Sequence, residues 1–156
     1  MKRRKLTARN ADINRLYEES VQCTEFEVSF INKLFKRYNK TKCKSLREDF
    51  CASALISSEW VRDNKDNIAI AVDLDRTMIK EAKNTALSRL SSEQQKRIKI
   101  CYGDSSKFNT DKVDCVLATN FSYFVFKQRK ELIDYFKHAY KPVSYTHLTL
   151  PTMFEV

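Results

Sequence analysis

Apolar residues follow two rhythms along the chain. Between Thr24 and Tyr38, the residues Phe26, Phe30, Ile31, Leu34, Phe35 and Tyr38 recur at helical spacing, with Lys and Glu on the other side. This predicts a helix over 24–38, capped by Thr24 with Glu27 completing a capping box. A shorter helix is predicted over 10–22, behind a basic arm at 1–7. After residue 43 the apolar runs shorten. Strands are predicted at 45–50, 68–72, 97–102 and 113–119. Helices are predicted at about 52–63, 77–90 and 127–140, with a helical turn at Ser91–Glu93. Strands alternating with helices in this way predict an α/β fold: a parallel sheet with helices on both faces. The runs at Ile68 and Val113 are apolar on both faces, as strands buried between helix layers must be.

Composition narrows the class. The chain has 156 residues, enough for one domain with a buried core. Its apolar runs are too short to span a bilayer, and no apolar segment follows the basic start as a secretory signal would require. The five cysteines form no CxxC pair, and the two histidines stand far from most of them. A zinc site is therefore not expected, and free thiols in a reducing cytosol are. The net charge of +9 permits contact with RNA through the field alone. Beyond the first residues, however, the charges are dispersed, which fits solvated helix faces. The single glycine is unusual, since average usage of ~7% would give roughly eleven. Turns must rely on Asn, Asp, Ser and Lys.

In an open parallel sheet, ligands bind at the carboxyl ends of the strands. The first strand delivers Glu48 and Asp49, then Phe50-Cys51-Ala52-Ser53-Ala54. The second delivers Asp73, Leu74 and Asp75. The third delivers Asp104 and Ser105, and the fourth Asn120, Phe121, Ser122 and Tyr123. An acid after the second strand can hold two ribose hydroxyls, and carboxylates repel phosphate. The pattern favours a nucleoside without phosphates. Asp73 and Asp75 would otherwise serve as ordinary helix caps.

The segments LREDFCASA (46–54) and ATNFSYFVFKQR (118–129) resemble a group of class I S-adenosylmethionine-dependent methyltransferases. The motifs of that group read LREDFCGTA and NFSY, and YEESVQ (17–22) and EWVRDN (59–64) also look like family positions. The likeness covers about Leu16 to Tyr140. It implies a Rossmann-like sheet, S-adenosylmethionine as cofactor, and methyl transfer to an acceptor that could be a small molecule, a protein side chain or RNA. It implies that Glu48 takes the methionine ammonium and that Cys51, Ala52 and Ser53 form the loop under the methionine part. Asp73 would hold the ribose, Leu74 would pack on adenine, and Asp104, followed by Ser105, would accept from the adenine amino group. Asn120 to Tyr123 would border the acceptor pocket, with Asn120, Tyr123 and Asp49 as candidate bases. Phe121 and Tyr123 are expected in that pocket, and Phe124 and Phe126 in the core. Cys51 is expected to be a small buried residue and not a nucleophile.

Where the group has GTA, this chain has Ala52-Ser53-Ala54. If the position of Ala52 needs positive φ, Ala in place of Gly costs ~1 kcal/mol. That departure motivates a rival, a non-catalytic module that keeps the fold but not the cofactor. A basic RNA-binding adaptor is another. A nicotinamide dehydrogenase is disfavoured by the lack of GxGxxG.

Residues 142–152, PVSYTHLTLPT, read like the translation of a transposon-derived sequencing adapter. The expected organisation is therefore a basic arm and helices at 1–43, a partial methyltransferase domain at 44–141 and a non-native tail at 142–156. The resemblance implies seven strands where four are predicted. The sheet is expected to be incomplete, with an open edge at the fourth strand, and this fragment to be inactive by itself.

Overall fold

The computed structural model describes residues 23–119 and 122–144. The basic arm, the expected helix at 10–22, and Asn120, Phe121 and the tail beyond Ser144 lie outside the described residues. The described elements run α1 (Thr24–Asn39), β1 (Ser45–Asp49), α2 (Leu55–Asp63), β2 (Ile68–Asp73), α3 (Arg76–Asn84), α4 (Ser92–Gln95), β3 (Ile98–Tyr102), β4 (Cys115–Leu117) and α5 (Arg129–Tyr140). Short 3-10 turns lie at Leu87–Arg89 and Ser122–Val125.

The four strands form one parallel sheet in the order β3-β2-β1-β4. β1 and β2 are the inner strands, and the strand order reverses between β1 and β4, so the end of β1 sits at the point where such sheets bind ligands, with the end of β2 beside it. Alternation along β1 assigns its side chains. Leu46 joins the core with Val28, Ile31, Phe35, Ile56 and Trp60, and Glu48 bonds to α2. Arg47 and Asp49 turn to the opposite face, where Tyr135 of α5 donates to Asp49. Trp60 is fully buried, and its indole N–H donates to the carbonyl of Ile68 at 3.1 Å. That bond lets a large apolar side chain carry its polar atom into the core.

β4 is attached to β1 partly by a side chain. Oδ2 of Asp114 accepts from the amides of Lys44 and Ser45, at 2.8 and 2.9 Å. The strand is shorter than the apolar run 113–119 suggests, and Val113 makes only an isolated parallel bridge to Val143.

Other boundaries move for physical reasons. α1 has no capping box: Cys23 is its N-cap, with no side-chain bond, and Glu27 turns one carboxylate oxygen inward. α3 stops at Asn84, before the predicted 90. The Thr85 hydroxyl there donates to the carbonyl of Glu81, a local bond that competes with helix continuation. α2 begins at Leu55 because the five residues before it make a different turn.

Candidate cofactor site at the ends of the first two strands

That turn is built from left-handed residues. Phe50, Ala52 and Ala54 have φ of 55°, 45° and 56°. This region favours glycine, because a Cβ crowds the backbone there. None of the three is glycine, so the loop holds strain where the strand must reverse into a helix. Two backbone bonds fix its ends: the Cys51 amide donates to Val72 O at 3.0 Å, and the Ala54 amide to Cys51 O at 2.7 Å.

Two carboxylates fasten the loop and the helix behind it. Oδ2 of Asp73 accepts from the Ala52 amide at 2.8 Å, and Oδ1 accepts from the Asp75 amide at 2.8 Å. Asp75, not Asp73, is the cap of α3, accepting from Thr77 and Met78. Oε2 of Glu48 accepts from the Ser57 amide at 2.9 Å and from the Ser57 hydroxyl. Ala54, the N-cap of α2, has no side chain able to accept. Glu48 therefore supplies, from β1, the acceptor that the first turn of α2 lacks. It is 2% exposed. Burial pushes its pKa up to about 7, against the lowering effect of the two Ser57 bonds, and the charges of Glu27 and Asp73 add to the rise.

The remaining expected residues are placed as follows. Cys51 is buried, and burial foremost, with the charge of Glu48, holds its thiol well above the ordinary range. This is the environment of an inert thiol. Ser53 is buried in the loop. Leu74 projects from the end of β2 and is 60% exposed, an apolar surface with no cover of its own. Ser105 is buried and structural: its hydroxyl accepts from the Phe50 amide at 3.2 Å, and its carbonyl takes Arg47 Nη2 at 2.9 Å. Asp104 is partly exposed, and its Oδ1 accepts from the Ser106 amide and hydroxyl. Partial burial opposes ionisation there, but Ser106 and Lys107 outweigh it and the pKa falls. Gly103, before it, is required by a close approach: a Cβ there would stand 2.6 Å from the Phe108 ring.

On the α5 side two expectations change. Asp49 is not an available base. Both its oxygens take Arg47, at 2.7 and 3.0 Å, and one also takes the Tyr135 hydroxyl. Phe124 is not core: it is 62% exposed. Phe126 is half-buried and stacks on Tyr135, with ring centroids 5.1 Å apart. Tyr123 is half-buried against Phe124 and Phe136.

The structure thus bonds Ala52 to Asp73 and, separately, Ser105 to the loop at Phe50 and Glu48 to Ser57, while Cys51 and Ser53 are buried in the loop and Leu74 and Asp104 stand at adjoining strand ends. Sequence reasoning missed Ser57, the partner of Glu48. Only a Ser in the first turn after the loop hinted at a partner for Glu48. Two cavities, of about 270 and 300 Å3, lie elsewhere, and none of the expected cofactor residues lines them. Among the described residues no cluster suits a metal ion, and no helix is long and apolar enough to cross a membrane.

No family model matches the chain, and no curated protein matches it. Solved structures do. An amino pentose methyltransferase from Micromonospora echinaspora, solved with S-adenosylmethionine, aligns over 91% of this chain and 55% of its own, with TM-score 0.68 and 10% identity. A sugar N-methyltransferase from a Streptoalloteichus species aligns over 92% and 53%, with TM-score 0.67 and 14% identity. An S-adenosylmethionine-dependent methyltransferase from Clostridium acetobutylicum aligns over 83% and 51%, with TM-score 0.68 and 18% identity. The chain spans about half the length of these structures. The likeness establishes the fold: a four-stranded Rossmann-like α/β sheet of the kind on which S-adenosylmethionine-dependent methyltransferases are built.

Proposed function

We propose that this chain is the cofactor-binding part of an S-adenosylmethionine-dependent methyltransferase. The observation that carries the reading is the loop 50–54. It adopts three left-handed residues without glycine and is bonded through the Ala52 amide to the acid ending β2. A fold without a ligand has no need to keep a strained turn at the switch point of its sheet. The structural neighbours solved with S-adenosylmethionine support the same choice of cofactor.

The cofactor, when bound, supplies an electrophilic methyl group on a sulfonium. The chain's residues bind and orient it. Asp73 keeps free lone pairs for ribose hydroxyls beyond its two backbone bonds. Leu74 offers an apolar face to adenine, and Asp104 an ionised acceptor to its amino group. Glu48 lies on the methionine side with its charge close to Ser57 and the first turn of α2. By the resemblance, Asn120 and Tyr123 would border the acceptor, which would be a small molecule, a protein side chain or RNA. The amine-methylating neighbours favour a nitrogen acceptor. Methyl transfer itself belongs to the whole protein, and positioning in a dry pocket is its main requirement.

The methyl of Ala52, standing where the resembling group has Gly and able to intrude on a ligand, motivates a second reading, a non-catalytic module that keeps the fold. Isothermal titration of the chain with S-adenosylmethionine and with NADH separates the readings. Saturable binding of S-adenosylmethionine alone supports the methyltransferase. NADH preference supports a dehydrogenase. Absence of both, unchanged when Ala52 and Ala54 are replaced by Gly, supports the non-catalytic module.

A further inference from the structure

α3 carries three cations along one flank. Arg76, Lys80 and Lys83 are all exposed, and at ~100° per residue they fall within about 60° of one another. The buried residues of the helix, Ile79 and Ala82, pack with Ala71 and Ile100 of the sheet. The cations therefore lie to one side of the packed face. Arg76 fixes which side. Its guanidinium stands over the Tyr102 ring, 4.3 Å from the centroid. Tyr102 ends β3, which is an edge strand. The flank thus looks toward the free edge of the sheet. Burial raises the Cys101 thiol, and the charges of Lys99 and Lys83 oppose that rise, consistent with a place for both lysines beside the end of β3.

No carboxylate shares that flank. Glu81 lies about 140° around the helix from Arg76, and Asp75 is engaged by the Thr77 and Met78 amides as the cap. Among the described residues none of the three cations pairs with a carboxylate. Like charges four apart on a helix repel and add nothing to the fold, and a polyanion relieves that repulsion. Tyr102 remains 47% exposed, although Arg76 covers it from one side. An aromatic ring held this way offers a base a surface to stack on. Phosphates for the row and a base for the ring come together in a single-stranded nucleic acid. A duplex would offer the phosphates but keep its bases stacked away from the ring.

We propose that the β3 edge is a binding surface for a single-stranded nucleic acid, with Arg76, Lys80 and Lys83 taking phosphates and Tyr102 stacking on a base. Asp73 and Tyr102 are register partners, so a strand held there ends beside the carboxyl ends of β2 and β3. The surface stands apart from the cofactor reading and does not need it.

The test is fluorescence anisotropy of labelled oligouridylate and oligothymidylate, each about twelve nucleotides long, titrated with the chain at several salt concentrations without S-adenosylmethionine. The variants are Lys80→Gln with Lys83→Gln, and Tyr102→Ala. Lys36→Gln with Lys42→Gln is the charge-matched control, at the cavity beside the starts of β1 and β2. The basic arm is present in all of them, so differences report the surface. The Lys80 and Lys83 pair is expected to weaken binding about tenfold at low salt and to flatten the slope of log affinity against log salt by about 1.4. Tyr102→Ala is expected to weaken binding about tenfold with the slope unchanged. The control pair is expected to stay within about twofold of the unmodified chain. With these results, tighter binding of oligouridylate assigns the surface to RNA, tighter binding of oligothymidylate assigns it to DNA, and equal binding assigns it to either single strand. No binding by the unmodified chain overturns the proposal, as does equal weakening by the control pair. Unchanged binding by Tyr102→Ala overturns it too, since attraction by charge alone would then be the whole effect.

Discussion

The amide of Ala52 donates to Oδ2 of Asp73 at 2.8 Å, joining the loop after β1 to the end of β2. The same amide belongs to a residue with φ of 45°. One bond therefore holds a strained backbone in place, and the acid that makes it is the one expected to meet the ribose. Asp73→Ala is expected to lose about 1–3 kcal/mol of stability by leaving that amide without its acceptor. Urea denaturation measures the loss, and Asp73→Asn, which keeps an acceptor oxygen, should lose less.

Replacing Ala52 by Gly removes the steric cost of the left-handed backbone but adds chain entropy to the unfolded state. The balance favours Gly by about 1 kcal/mol. Ala54→Gly should gain less, because the Ala54 methyl is fully buried in a core cluster with Ala71 and Ile79 and its loss leaves a void. Midpoints of urea denaturation for the two variants give the comparison. A loss of stability in Ala52→Gly would count against strain in the loop.

Arg47 and Asp49 form a fully buried ion pair, and Arg47 also donates to the carbonyls of Ser105 and Phe108. Removing one partner leaves the other buried and unpaired. Arg47→Met is expected to cost about 3–5 kcal/mol. Tyr135→Phe, which removes one bond and keeps the ring stacking, should cost about 1 kcal/mol. Both are read from denaturation curves.

Glu48 gives a pH prediction of definite sign. Its pKa is about 7 in the folded chain against 4.5 as the ordinary value, chiefly through burial. The folded state therefore holds a proton that the unfolded state releases between these values. Stability from this group is full below about pH 4.5 and is lost as pH rises toward about 7. Glu48→Gln should flatten the stability profile over that window. A profile of unchanged slope in the variant would show that other groups govern it. A bound ammonium should stabilise the ionised form and lower the Glu48 pKa.

Much of the fold was legible because the chain writes it in strong periodicities. Ile68–Val72 was legible as a strand, although Ile68 at its start is 50% exposed, and α1 was legible as a helix but not in its inward stripe: Val28, Ile31 and Phe35 are buried, while Phe26, Phe30 and Tyr38 of the expected stripe are exposed. The strand-end acids were legible from topology alone. The loop was legible only by likeness, because Ala52 and Ala54 say nothing by themselves about positive φ. Asp49 looked like a base because spacing cannot show that Arg47, two residues away on the same face, consumes it. Glu27 looked like part of a cap because a capping box is a local pattern, whereas the helix starts from Cys23 with no side-chain bond and one Glu27 oxygen is buried.

The central claim is that a nucleoside bearing a sulfonium binds at the carboxyl ends of β1, β2 and β3. Amide hydrogen exchange, followed by mass spectrometry with and without saturating S-adenosylmethionine, tests it most directly. Slowed exchange confined to the segments around 48–57, 73–75 and 103–106 is the predicted result. No slowing at any segment, or slowing confined to the cavity lined by Asn109, Thr110, His138 and Lys141, would contradict the claim.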